Sequence, residues 1–254
     1  MKDVIIKQIS QYIKEYPKQK GTMTRWEEPI VAFASARDPM FIELKKIVSP
    51  THALPENFLD QAETVISYFI PFQPWVAVSN VEGKESSKEW ATAYVETNRL
   101  IYDINVYVKE KLAELGYCST VIPATHNFNE EKLISDWSHR HVAWIAGLGK
   151  FGLNNMLITE KGCCGRIGTI VTNAVVAPTG RNEKESCLYK VKGICKKCAE
   201  QCVMDALKIT EFDRHKCYEM CLDNAERYKD MGLADVCGKC LVNLPCSFVN
   251  PVKS

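Results

Sequence analysis

The sequence has no long apolar run and no excess of either charge. Over 254 residues the formal net charge is +1. That gives no electrostatic pull towards nucleic acid or an anionic membrane. No stretch approaches the ~20 apolar residues that a membrane-spanning helix needs. The opening MKDVIIKQISQYIKEY carries charge throughout and lacks an uninterrupted apolar core, so it does not read as a secretory leader. Low-complexity segments are absent, and the only internal repetition is a pair of half-matching cysteine runs. What remains is ordinary: 46 % hydrophobic and 25 % charged residues, enough for a real core in one large domain or two smaller ones. Cysteine is the exception, with 12. Unpaired thiols without an export signal are expected in a reducing cytoplasm.

Nine of those 12 cysteines fall between Cys187 and Cys246: Cys187, Cys195, Cys198, Cys202, Cys217, Cys221, Cys237, Cys240 and Cys246. Cys195-x2-Cys198-x3-Cys202 is most of an iron–sulfur run, and Cys237-x2-Cys240-x5-Cys246 is a second, looser one. In two-cluster ferredoxins the last cysteine of each run ligates the other cluster. Applied here, that crossing puts Cys187, Cys195, Cys198 and Cys246 on one [4Fe–4S] cluster, and Cys217, Cys237, Cys240 and Cys202 on another. Cys221 is then spare, or replaces Cys217. The first gap is longer than usual, Val203 stands where a proline is common, and Pro245 precedes Cys246 rather than following it. Two all-thiolate zinc sites are the alternative. A disulfide framework suits a chain of this length and such tight CxxC spacing less well.

Along the chain, residues 2–16 carry apolar residues at helical spacing, ending before Pro17. Residues 30–36 and 64–70 read as strands and 41–48 as a helix, with His52 in a surface loop between them. The clearest helix runs from Trp90 to Leu115, with Gly116 as its cap and an apolar face that belongs to the core. Residues 117–122 read as a strand with Cys118 as a buried small hydrophobe. Residues 129–146 read as a helix capped by Asn129. Strands at 156–159 and 167–172 form a hairpin around the turn that holds Cys163 and Cys164. Residues 177–186 are the expected boundary between units 1–180 and 181–254.

Gly147-Leu-Gly149-Lys-Phe-Gly152 matches a dinucleotide fingerprint in letters, but it follows a helix, which is the wrong context. Its glycines allow close approach of backbone to a neighbour or ligand. The segment WSHRHVAWIAGLGKFGLNNMLIT, then GRIGTIVTN, then the cysteine region resembles the epoxyqueuosine reductases, in an order that also occurs in reductive dehalogenases. The resemblance implies an α/β (α+β) architecture: a nitroreductase-like sandwich followed by a small ferredoxin-like double-cluster domain. It implies a cytoplasmic cobalamin-dependent reductase, with corrinoid held near Gly147, Gly149 and Gly152 and electrons passed to it from the clusters. The electrons would come from a donor such as ferredoxin or flavodoxin. The family's further helical repeats, which help hold tRNA, are not expected here, since the sequence stops eight residues after Cys246. A small-molecule or modified-nucleoside substrate is expected, with tRNA doubtful. Rival readings are a cluster-only electron carrier and a zinc-stabilised interaction module.

Reductive chemistry also needs a proton donor. Asp136, His139 and His141 lie together in D-W-S-H-R-H, and on a helix Asp136 and His139 would share one face, as would Trp137 and His141. Asp136 lies near the position of the family's catalytic aspartate, offset by about three residues. His126 reads as a plain loop residue and His215 as a neighbour of a cluster. Cys163 and Cys164 are either ordinary turn residues or thiols that line a pocket. Arg140 and Arg166 are candidate partners for a phosphate or carboxylate.

Overall fold

The computed structural model describes residues 1–124 and 127–252; His126 lies outside them. In chain order the first elements are α1 (Lys2–Lys20), β1 (Ile30–Ser35), α2 (Met40–Ile47), β2 (Thr64–Pro71), α3 (Pro74–Ser79), α4 (Lys88–Glu114) and β3 (Ser119–Val121). There follow β4 (Phe128–Asn129), β5 (Ile134–Ser135), α5 (His139–Ile145), β6 (Gly149–Phe151), β7 (Leu157–Thr159) and β8 (Gly165–Thr172). The cysteine-rich part adds α6 (Leu188–Lys192), α7 (Lys197–Glu200) and α8 (Arg214–Arg227).

The central sheet has the order β1-β2-β8-β3, antiparallel throughout. All eight residues of β2 are buried, because the sheet is covered on both faces. One face meets Phe41, Trp137 and Val142; the other meets Ile9 and Tyr16 of α1 with Leu100, Ile104 and Val108 of α4. Each fully buried Leu or Ile of this kind contributes about 1.5–3 kcal/mol. Ser87 caps α4 by accepting from the Trp90 N–H at 3.1 Å, and the buried stripe ends at Leu112, leaving Leu115 exposed.

Several expectations are corrected. Helix α1 runs past Pro17 to Lys20, because burial of Tyr16 and Pro17 holds the last turn and Gly21 closes it in a left-handed conformation. Helix α3 opens on Pro74, a start signal that the surrounding short loops hide. Cys118 is exposed, since the chain turns outward just before β3. Residues 129–146 are not one helix. Asn129 does accept a backbone N–H, but from Lys132 in the turn of the β4–β5 hairpin, and helix begins only at His139. The strands around Cys163 and Cys164 are not partners: β7 pairs with β6, whereas β8 enters the central sheet. The tight turn is Thr159–Gly162 instead.

A third apolar cluster joins the sheet region to the cysteines. Phe72, Val76, Trp90 and Ile158 pack with Cys163, Cys164, Cys187 and Leu241. Its seam is backbone: Cys163 N–H donates to Cys246 O (3.0 Å), and Cys164 N–H donates to Ser247 O (3.0 Å). Connector residue Thr179 exchanges hydrogen bonds with Phe33, covering the outer edge of β1.

Candidate functional site

The cysteines fall into two groups. Cys187 precedes α6, Cys198 lies in α7, and with Cys195 and Cys246 they line one cavity, walled by Leu153, Ile158, Leu188 and Leu244. Burial pushes the Cys198 thiol up to about 12, and Cys246, Cys187 and Cys195 add to the effect. The buried thiol of Cys163 hydrogen-bonds Cys246, which with burial drives the Cys246 thiol far up.

The second group gathers around Cys240, whose thiol is raised by burial and then by Cys217, Cys237, Cys198 and Cys202. Cys217 and Cys221 sit one turn apart on α8 and share a hydrogen bond. That bond lowers Cys217 to about 7 against the effect of burial, with Arg140 assisting, and it raises Cys221. Leu207 N–H points at Cys202 Sγ (3.4 Å). Among the described residues no three His, Cys, Asp or Glu side chains converge tightly enough to hold a single ion. A four-iron cube is held differently, with one thiolate to each iron around its outside.

Two groups crowd the Cys237–Cys240 loop. Lys239 is 3 % exposed, and its ammonium donates to Asn80 O (2.9 Å) and Glu82 O (2.7 Å) on the loop before α4. Burial pulls its pKa down, and Cys237 pulls it back up. Trp90 lies against Gly238 so closely that a Cβ there would stand 2.3 Å from Nε1. That indole N–H is buried and has no hydrogen-bond partner. A sulfur-rich cluster held by this loop offers the acceptor it lacks, and two thiol groups of at least four members match the donor set of two four-iron clusters.

The three proton-transfer candidates have separate partners. Asp136 and Trp137 precede α5 rather than riding on it, so the expected shared helix faces do not form. The Asp136 carboxylate accepts from the Thr51 hydroxyl at 2.5 Å. His139 Nδ1 meets Thr169 Oγ1 and its Nε2 meets Pro123 O, both at 2.9 Å. Trp137 Nε1 also donates to Thr169 Oγ1 (2.9 Å), so that hydroxyl donates on to His139 Nδ1, and Nε2–H faces the carbonyl. His141 bonds Ser138 Oγ through Nδ1 (2.7 Å) and packs on Phe151; among the described residues its Nε2 makes no hydrogen bond. Burial, then Arg140 and His52, lower it to about 4. His52 is fully buried rather than a surface residue. Its Nδ1 donates to Ala53 O, and its Nε2 accepts from Ser138 N–H, fixing the entry to α5. His215 is exposed on α8, two residues before Cys217.

The glycine loop is packed tightly. A Cβ at Gly147 would stand 2.1 Å from Gly180 O, and one at Gly149 would stand 2.2 Å from Ile158 O. One at Gly152 would meet Asn154 and Ile158. These glycines therefore admit neighbouring chain. Gly147 and Gly149 also border a cavity of ≈ 230 Å³ with Lys150, Arg181 and Trp144. On the α5 side, Arg140 is exposed, donates to Asn155 O (2.7 Å) and has its pKa lowered by desolvation. Its charged surroundings are Cys240, Arg166, Arg214 and Cys217. Arg166 stacks on Tyr94 (4.1 Å) and donates to Asn98 Oδ1 (2.7 Å), so α4 contributes to the site as well as to the core. Guanidinium groups beside thiols suit an anionic, amide-rich cofactor or substrate.

This arrangement, an antiparallel sheet sandwiched by helices with a thiol-rich appendage, is a known fold. Solved structures of epoxyqueuosine reductase share it. The Streptococcus thermophilus enzyme aligns with TM-score 0.56 and 16 % identity over 93 % of this chain and 65 % of that one. The Bacillus subtilis enzyme, with its catalytic aspartate loop swung out of the active site, gives 0.55 and 16 % over 95 % and 66 %. A third, bound to an epoxyqueuosine-modified tRNA-Tyr stem loop, gives 0.56 and 17 % over 95 % and 66 %. The chain thus spans just under two thirds of the length of these structures. No protein-family model matches it, and no curated protein matches it in sequence. Among the described residues no helix is long and apolar enough to cross a membrane.

In sequence Lys239 carries no signal of its own, Trp90 reads as core alone and His52 as a surface-loop residue. A lysine inside a CxxC loop is visible in CGKC, but spacing cannot reveal that it is buried. Trp90 lies on the core stripe of α4, which hides its second edge. His52 has no local signal, because its partner Ser138 is remote in sequence.

Proposed function

We propose that this protein is a cytoplasmic iron–sulfur oxidoreductase that carries two [4Fe–4S] clusters and serves a cobalamin bound beside Arg140 and Arg166. The observation that carries this reading is the sorting of the C-terminal cysteines into two groups, one of which lines a cavity. Cys187, Cys195, Cys198 and Cys246 would hold the first cluster. Cys202, Cys217, Cys237 and Cys240 would hold the second, with Cys221 close enough to replace Cys217. In this reading residues 1–180 form a nitroreductase-like redox unit and 181–254 a ferredoxin-like one. When bound, the clusters supply electrons singly and the corrinoid supplies a strongly reducing centre for the substrate.

The chain's own residues would do the rest. Arg140, Arg166 and Arg214 would orient anionic groups beside Cys217 and Cys240. Gly147, Gly149 and Gly152 would shape the loop that backs the corrinoid. His139, with both ring nitrogens engaged, would tie α5 to β8. Asp136 and the open Nε2 of His141 are the groups left for proton transfer at the reduced substrate. A ferredoxin or flavodoxin would supply the electrons. The near-neutral charge favours a small molecule or modified nucleoside over a whole tRNA.

The test is elemental analysis of protein made with cobalamin available and purified without oxygen. About eight irons and one cobalt per chain are expected. Eight irons without cobalt would leave a cluster-only electron carrier. Zinc with little iron would overturn the redox reading.

A further inference from the structure

Lys239 is a buried ammonium without an anion. Its two hydrogen bonds go to neutral carbonyls, Asn80 O and Glu82 O. Among the described residues it forms no salt bridge, and the acidic residues of the covering loop, Glu82 and Glu85, are themselves exposed. A buried charge of this kind is costly unless something nearby compensates it. Against the same four-residue loop, at Gly238, the Trp90 N–H of α4 is buried and among the described residues makes no hydrogen bond. Both groups therefore place a positive charge or a positive dipole end at the loop between Cys237 and Cys240, the ammonium answered only by two neutral carbonyls and close enough to Cys237 to feel its charge. Among the described residues the cavity of the first thiol group is lined by no charged side chain: its wall is Leu153, Ile158, Leu188, Leu244 and Pro245, with Asn154, whose amide is already engaged by Cys240 O (2.9 Å).

We infer that Lys239, assisted by the Trp90 N–H, is an electrostatic positioning group that raises the reduction potential of the second cluster above that of the first. This rests on the two-cluster reading. A four-iron cluster on four thiolates is net negative and gains one more negative charge on reduction. A fixed ammonium beside it favours the reduced form more than the oxidised one, and an N–H donated to a cluster sulfur acts in the same direction. The consequence is directional. An electron entering either cluster comes to rest on the one beside Arg140 rather than on the one in the apolar cavity.

The test is a redox titration followed by electron paramagnetic resonance, with iron counted in every sample. The variants are Lys239→Met, Lys239→Arg and Trp90→Phe, with Cys240→Ser to mark which signal belongs to the second cluster. Lys239→Met should keep wild-type iron and shift that cluster's reduction equilibrium towards the oxidised form about tenfold, ~59 mV for one electron. The other cluster should not move. Lys239→Arg should restore most of the shift, and Trp90→Phe should give a smaller one of the same sign. An unmoved potential in Lys239→Met, equal shifts in the Met and Arg variants, or loss of half the iron would overturn the inference, the last two by making Lys239 only an anchor for the 80–82 loop. Wild-type protein without iron would overturn the two-cluster reading and this inference with it. Wild-type protein with about eight irons and an unmoved Lys239→Met potential overturns this inference alone.

Discussion

The central sheet and the cysteine-rich region occupy one molecule but are held together by opposite means. In β2 every residue from Thr64 to Pro71 is buried, between an α1–α4 layer and an α2–α5 layer. In residues 187–252 the first two helices have five and four residues, and the region's own apolar cluster is small, built on Cys198, Leu207 and Leu244, while Leu241 and Val242 pack into the cluster shared with Phe72 and Trp90. A sheet region of that kind has enough apolar area to fold on hydrophobic burial. The other region does not, and small units of that kind are completed by a metal or by docking onto a larger neighbour. Here the docking is visible in the Cys163–Cys246 and Cys164–Ser247 backbone bonds. The lesson is that burial is divided unevenly: the sheet side supplies the frame, and the thiol side leans on it through that seam.

On the two-cluster reading, the largest effect should come from removing iron. Anaerobic chelation of the loaded protein should collapse amide-exchange protection across 187–252 while β2 and β8 keep theirs, as followed by hydrogen exchange and mass spectrometry. Uniform loss across both regions would break the comparison, making the seam strong enough to fuse them into one cooperative unit.

The converse lesion lies in the sheet side. Trp137 is 1 % exposed, packs edge-on against Phe58 (4.8 Å) and donates to Thr169. Trp137→Ala should cost about 3–5 kcal/mol in chemical unfolding, without changing iron per folded chain. Iron loss in parallel with stability would show that the thiol region depends on the far side of the sheet.

How far each region can be read from sequence follows the same division. β1 and β2 are legible as short apolar runs, β2 rich in β-branched and aromatic residues and buried throughout, and α4 is legible because its apolar residues step by three and four and burial follows that period. The cysteine spacing marks the thiol region because ligand geometry leaves its trace in short local gaps. What the sequence hides is long-range. The β4–β5 hairpin was masked by an Asn-Glu-Glu start signal that caps a turn instead of a helix. β8 looks like the partner of β7, but its partners are β2 and β3, remote in sequence. The surroundings of Lys239 are made by residues about 157 positions away, which no spacing rule reaches.

The smallest effect concerns protonation, and it sharpens where acid sensitivity resides. Burial holds His141 at about 4, below the ordinary 6.5. Between those values the unfolded chain binds a proton that the folded chain refuses, so stability falls as pH falls through that window. Discounted for the partial solvent access of the ring, the loss from about pH 7 to about pH 5 should be about 1 kcal/mol. His52, lowered by its own burial, acts in the same direction. In His141→Gln, urea unfolding followed by tryptophan fluorescence should therefore show a shallower pH slope than the wild type, with a residual slope left by His52. An unchanged slope would move the acid-sensitive element away from α5 and into the thiol region, reversing this part of the comparison.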